Sequence, residues 1–210
     1  MRGFLFDMDG TILDSLGDIG GCANAVLEEL GLPTHPIETY RQRVGEGARS
    51  LLEQALPPDR GALVDHALAR YRALYATRML ETSRPYPGIE PLLVALRARG
   101  DRVAVVTNKP QTAATKIAEA VFPGTFEIVI GEREGVPKKP DPAPALLAAS
   151  ALGIEPGRCV FVGDSAVDVR TARAAGMKSV GVLWGFRDRD ELAGAGAEHL
   201  VDEAGQILGL

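Results

Sequence analysis

From residue 102 onward the chain repeats one alternation: a short apolar run, a polar cluster, then a longer stretch at helical spacing. Strands are predicted over 102–107, 127–130, 159–162 and 179–183, and helices over 112–121, 142–152 and 167–175. A helix over 89–100 precedes them, and a weaker pair follows at 190–193 and 199–201, with a short helix from Glu203. The run Arg102-Val103-Ala104-Val105-Val106-Thr107 is continuously apolar inside, as a strand buried on both faces must be. Repeated strand–helix units imply a parallel sheet covered on both sides and joined by right-handed crossovers. Gly3-Phe4-Leu5-Phe6 supplies a further apolar run near the start. The expected fold class is therefore α/β, a Rossmann-like parallel sheet.

That pattern is interrupted once. Leu16, Ile19, Cys22, Val26, Leu27 and Leu30 follow helical spacing until Gly31 and Pro33 stop it. Helical stretches are then predicted over 36–44, 48–56 and 63–80, separated by Gly45-Glu46-Gly47 and Pro57-Pro58-Asp59. No strand is predicted between Ser15 and Arg84. The expected organisation is a core of 1–14 and 84–210 carrying a small α-helical cap at 15–83.

A chain of 210 residues can bury a substantial core. Its net charge of −5 argues against nucleic acid or an anionic membrane as the main partner. An anionic ligand would have to be met by a local group of cations. Cys22 and Cys159 form no CxxC motif, and Cys159 opens the apolar run Cys-Val-Phe-Val-Gly, so Cys159 reads as a small buried hydrophobe rather than a ligand or a disulfide half. No apolar stretch is long enough to span a bilayer and no charged-then-apolar leader opens the sequence, which predicts a cytoplasmic protein.

In a parallel sheet the residues following each strand gather on one rim, where such folds bind ligands. Here that rim collects Asp7 and Asp9, then Thr107-Asn108-Lys109, then Lys138-Lys139-Pro140-Asp141-Pro142, then Gly163-Asp164-Ser165-Ala166-Val167-Asp168. Asp7 and Asp9, two apart in an extended segment, point to one side, repel each other and call for a cation; oxygen donors suit Mg²⁺. A phosphate ester would use every type present. One carboxylate can attack phosphorus, a second can move protons, and lysine and hydroxyl donors can stabilise the equatorial oxygens. Neither a G-x-x-x-x-G-K-[ST] loop nor a dinucleotide G-x-G-x-x-G follows a strand.

Four segments in this order resemble the motifs of the haloacid dehalogenase superfamily of phosphohydrolases, and most closely its phosphoglycolate phosphatases. They are Asp7-Met8-Asp9-Gly10-Thr11, Thr107-Asn108, Lys139-Pro140-Asp141-Pro142 and Gly163-Asp164-Ser165-x-x-Asp168. The resemblance implies a Mg²⁺-dependent phosphatase for a small phosphorylated metabolite, working through an aspartyl-phosphate. It implies Asp7 as nucleophile, Asp9 as general acid/base, and Thr107 and Lys139 as phosphoryl-binding groups, with Gly10 and Asn108 at the substrate. Metal would be held by the Asp7 and Asp164 carboxylates and the Asp9 carbonyl, with Asp168 supporting them or holding Lys139. The loop Arg41–Ala48 is similar to the cap loop that reads the leaving group, which puts Arg43, Gly45, Glu46 and Gly47 at the substrate; the Glu46 carboxylate would repel an anionic leaving group unless an arginine offsets it.

Several residues carry a second reading. Asp168 also fits the first turn of a helix, Asn108 a helix cap, and Asp14 and Ser15 either a hinge or a cap, capping being favoured. Lys138 reads as a solvated neighbour of Lys139, and Trp184 as packing. The three histidines lie away from the rim motifs, against a Ser-His-Asp arrangement. A β-phosphoglucomutase-like mutase, a phosphatase for sugar phosphates, nucleotides or pyrophosphate, and a non-enzymatic aspartyl-phosphorylated signalling module remain the alternatives. The assembly is expected to be a monomer or homodimer.

Overall fold

A computed structural model describes all of residues 1–210. Its sheet has six parallel strands in the order β5-β4-β1-β6-β7-β8. They are β1 (Gly3–Phe6), β4 (Arg102–Pro110), β5 (Ile128–Glu132), β6 (Cys159–Gly163), β7 (Lys178–Val182) and β8 (His199–Val201). β1 lies between β4 and β6, and all four of its residues are buried. The order reverses on either side of β1, so its carboxyl end opens at a switch point. The intervening helices are α4 (Ile89–Ala98), α5 (Gln111–Val121), α6 (Ala143–Ala151), α7 (Ala166–Ala174) and α8 (Arg189–Gly194). One face of the sheet packs Phe4, Phe6, Val103 and Val105 into a larger cluster, while the other packs Leu5, Ala104, Val106 and Phe161 into a smaller one. Alternate β1 residues thus serve opposite layers, as strand geometry requires.

Between β1 and α4 lie α1 (Leu16–Glu29), α2 (Ala48–Ala55) and α3 (Val64–Arg78). One expected α-helical stretch is a 3-10 turn instead, and a second 3-10 turn fills the expected break before α3. Ile37–Gln42 replaces the helix at 36–44, and Pro58–Leu63 precedes α3. Pro36 and Pro57–Pro58 fix φ and withhold amide donors, so a tight turn forms at each place. The C-terminal helix expected from Glu203 is likewise a 3-10 segment, Ala204–Gly209.

A two-stranded antiparallel ribbon, β2 (Leu13–Asp14) with β3 (Arg84–Pro85), brackets the helical insert, in register Leu13↔Pro85 and Asp14↔Arg84. It escapes sequence reading because two residues carry no period. Asp18, in the first turn of α1, reinforces the ribbon by accepting from the amides and hydroxyls of Thr82 and Ser83 at 2.6–2.9 Å. The apolar cluster on the Phe4 side continues without a break from the sheet through Met8 and Ile12 into Leu16, Ile19, Leu68 and Tyr75 of the insert. Both cysteines are buried and free. No helix is long and apolar enough to cross a membrane.

Candidate active site

β1 ends at Phe6, and Asp7 extends its ladder by one bond, from its amide to the Val162 carbonyl at 2.9 Å. The chain then turns tightly: the amides of Thr11, Ile12 and Leu13 all point to the Met8 carbonyl. Gly10 sits at the apex with φ +83°, and a Cβ there would stand 2.2 Å from Asp164 Oδ2. Only glycine allows this turn to press so closely on the neighbouring carboxylate. The Gly10 amide is spent on the Leu13 carbonyl at 2.9 Å, so its contribution is close approach rather than a free donor for substrate.

Asp7 and Asp9 both face one cavity of about 640 Å³ between the strand ends and the insert, but they are held by different lysines. Lys139 Nζ lies 2.9 Å from Asp7 Oδ1 and 2.7 Å from Asp168 Oδ1, with its side chain 2% exposed. Lys139, not Lys138, is thus the inward-facing residue of the pair. Lys109 Nζ lies 2.8 Å from each oxygen of Asp9, and Ser15 Oγ donates to Asp9 Oδ1 at 2.6 Å. Ser15 does occupy the N-cap position of α1, but its side chain caps nothing; it fixes Asp9 instead. Neither partner of Asp9 was legible beforehand, because a side chain's path across a sheet leaves no mark on spacing.

Asp164 follows β6, accepts from the Phe186 amide at 2.7 Å and faces Thr11 Oγ1 at 3.4 Å. Asp168 satisfies both of its readings at once. In the first turn of α7 it accepts from the amide and hydroxyl of Ser165 on Oδ2, closing a capping box, while Oδ1 holds Lys139. Three buried carboxylates, Asp7, Asp164 and Asp168, bring oxygens within 4.8 Å of one another. Burial pushes the Asp7 carboxyl up to about 6 against the pull of Lys139, with Asp168 pushing the same way. Burial, then the charges of Asp168 and Asp7, raises Asp164 well above the carboxylate range. For Lys139, burial works against the charge but the two carboxylates overcome it and raise the ammonium's pKa. One lysine among three acids leaves uncompensated negative charge, and the donors are all oxygen, which fits a hard divalent cation. Asp168 spends Oδ1 on Lys139 and Oδ2 on two Ser165 donors, whereas Asp7 keeps Oδ2 unengaged and Asp164 Oδ1 meets only the long 3.4 Å contact from Thr11, so Asp7 and Asp164 are the better placed to hold one.

Thr107 and Asn108 lie on β4, both buried. Thr107 lines the cavity beside Asp7. Asn108, expected at the substrate or as a helix cap, does not cap: α5 is capped at Pro110, while Asn108 lines the cavity with its side-chain amide serving as a brace. Its Nδ2 donates to the Gly45 carbonyl at 2.9 Å and the Lys139 carbonyl at 3.0 Å, and its Oδ1 accepts from the Lys139 amide at 2.9 Å. It therefore ties the loop bearing Lys139 to the insert.

The loop 41–47 meets the cavity differently from expectation. Gly45 and Gly47 line it, with φ +123° and +97°, and a Cβ on Gly47 would meet Lys138 Nζ at 3.3 Å. Arg43 and Glu46 do not line it. Arg43 lies over the Tyr40 ring and donates to Thr39 Oγ1 at 3.1 Å, while the exposed Glu46 carboxylate accepts from Ser50 Oγ at 3.2 Å. Neither side chain is therefore placed to meet a group bound in the cavity. Lys138 is more than a solvated neighbour: Nζ donates to the Glu46 carbonyl at 3.2 Å and lies 3.6 Å from Glu132. Arg187, missed entirely, donates to the carbonyls of Arg41, Gln42 and Val44, and Arg41 returns a bond to the Gly185 carbonyl at 2.9 Å. Trp184 packs at the rim as expected and donates to the Thr11 carbonyl at 2.9 Å.

A family model described as haloacid dehalogenase-like hydrolase matches residues 1–176, which include all four rim segments. The chain belongs to that family. A phosphoglycolate phosphatase of Xanthomonas campestris pv. campestris is 38% identical, with 98% of this chain and 94% of that protein covered. One of Aquifex aeolicus is 34% identical over 89% of this chain and 86% of that protein. The crystal structure of a predicted phosphoglycolate phosphatase from Haemophilus somnus superposes with a TM-score of 0.91 at 28% identity, covering 100% of this chain and 97% of that one. The Rossmann-like sheet expected from the sequence is the fold of this family, and the chain is a phosphatase within it.

Proposed function

We propose that the protein hydrolyses 2-phosphoglycolate to glycolate and phosphate with Mg²⁺, through a phosphorylated Asp7. The observation that carries this reading is the split custody of two neighbouring acids: Asp7 shares Lys139 with Asp168, whereas Asp9 is held by Lys109 and Ser15. Two carboxylates in one cavity with separate partners suit separate roles. Asp7, beside Lys139 and Thr107, attacks phosphorus in line, and the phosphorus–oxygen bond to the leaving group breaks. Asp9 gives its proton to the departing oxygen, then takes one from the water that cleaves the acyl phosphate and restores Asp7. Lys139 and Thr107 donate to the equatorial phosphoryl oxygens. Asp7, the Asp9 carbonyl and Asp164 would hold Mg²⁺, which supplies charge neutralisation at the transferring group.

Residues 15–83 act as a cap over a core of 1–14 and 84–210, excluding water while the phosphoryl group moves. Support comes from the contacts that cross between them, Asn108 to Gly45 and Arg187 to the carbonyls at 41–44. The phosphoglycolate choice rests on the names of the full-length relatives. The cavity of about 640 Å³ favours a second reading, a phosphatase for a larger ester such as a sugar phosphate. A Mg²⁺-dependent screen of phosphoglycolate, sugar phosphates, nucleotides and pyrophosphate separates the two. In the same assay Asp7→Asn should abolish phosphate release; retention of near wild-type turnover would refute the nucleophile assignment.

A further inference from the structure

Lys109 touches no reacting atom in the reaction as set out above and only holds Asp9, yet its charge is among the most enclosed in the molecule. Its side chain is 3% exposed, and both of its oxygen acceptors belong to Asp9. The ring of Tyr75, from α3 of the insert, lies 4.8 Å from Nζ and shields it from water. An ammonium carries three donors, so one is left without an oxygen. The Tyr75 hydroxyl is itself the single buried side-chain polar atom in the molecule lacking a hydrogen-bond partner. Lys109, Asp9 and Tyr75 all line the cavity. The ammonium's free direction meets only the π face of Tyr75, and the Tyr75 hydroxyl has no partner, so this wall of the cavity has donor capacity that no oxygen of the protein takes up.

Distance selects which part of a substrate would meet it. To protonate an ester oxygen, the Asp9 carboxyl must come within about 2.6–3.2 Å of it. Lys109 Nζ stands one hydrogen bond beyond that carboxyl, at 2.8 Å. A group two bonds from the ester oxygen is therefore within its reach, whereas the phosphoryl group sits with Asp7 and Lys139. In a glycolate leaving group that position is the carboxylate carbon.

We propose that Lys109 is the counter-ion of the leaving group and sets selectivity for esters with a carboxylate two bonds from the bridging oxygen; this rests on the phosphoglycolate reading. On binding, the ammonium turns from Asp9 to the substrate carboxylate. That exchange frees an Asp9 oxygen for proton transfer. A neutral alkyl phosphate leaves the Lys109–Asp9 pair intact and Asp9 occupied.

The test compares 2-phosphoglycolate with ethyl phosphate, which lacks only the carboxylate oxygens, using the full chain with Mg²⁺. Wild type, Lys109→Gln and Lys109→Met are measured, the glutamine retaining a donor for Asp9. The ratio of kcat/KM for the two esters should fall roughly 10- to 100-fold in both variants, the value of a charge-assisted hydrogen bond, chiefly through KM for phosphoglycolate. A ratio unchanged from wild type overturns the proposal even if both rates drop together, since Lys109 would then only hold Asp9. Wild type with no preference for phosphoglycolate refutes the substrate reading itself, and this inference with it. Inhibition of wild type tests the same contact without mutation: glycolate must inhibit more strongly than ethanol, and equal inhibition also overturns the proposal.

Discussion

The Asp18 carboxylate accepts from both the amide and the hydroxyl of Ser83, at 2.9 and 2.6 Å, across a sequence gap spanning the whole insert. Thr82 binds the other oxygen in the same way, so four donors converge on one buried acid. Burial alone would raise this carboxyl, but the Ser83 and Thr82 bonds outweigh it and hold the pKa below the usual range.

The sign of the pH effect follows. A carboxyl whose folded pKa is depressed contributes stability above its unfolded value near 4, and loses it as pH falls through the folded value. Asp18→Ala should cost about 3 kcal/mol near neutral pH, because it strands buried donors at the ribbon. Denaturant unfolding from pH 7 down to pH 3 should show the wild-type and variant curves converging at the acid end.

Crowded acids make the opposite prediction at the cavity. With Asp7 and Asp164 raised, their ionised forms weigh against the folded state unless a cation joins them. Saturating Mg²⁺ at about one hundred times Kd should stabilise the protein by about 2.7 kcal/mol, read as a rise in Tm that a chelator reverses. Asp164→Asn should raise the Tm of the metal-free protein and abolish the response to Mg²⁺.

Glu46→Ala should leave kcat/KM for phosphoglycolate near wild type, since the carboxylate is exposed and turned to Ser50. Steady-state kinetics at low ionic strength give the strictest form of this measurement, because screening is least there.

Asn108→Ala removes three bonds that join Gly45 to the backbone of Lys139. It should lower kcat by about 10²-fold, a usual consequence of misplacing a group that contacts the reacting centre. Asn108→Asp, which cannot donate to the Gly45 and Lys139 carbonyls, should fare no better.

What the sequence made legible was whatever leaves a period or an order. Arg102–Thr107 announced a buried strand by its unbroken apolar run, and the rim acids were found because each follows such a run. The extension of β4 to Pro110, the ribbon at 13–14 and 84–85 and the 3-10 turns at 37–42 and 58–63 had no such signal. The partners of Asp9 were hidden for another reason: Ser15 and Lys109 reach it from different elements, and only the packed fold says which cation meets which acid. Arg43 and Glu46 lie outside the cavity lining, which their residue types could not disclose, because a loop's composition does not say which of its side chains face inward.

The register of the ribbon carries one more consequence. Asp14 lies opposite Arg84, so the insert departs and returns at adjacent points. A two-residue turn could join those strands as an ordinary hairpin, and another helical module could be spliced between them without shifting the sheet. The insert is thus an exchangeable cassette on a fixed chassis, with one constraint on the transplant: it must bring its own apolar face, because Met8 and Ile12 are buried in the cluster that Leu16 and Ile19 complete.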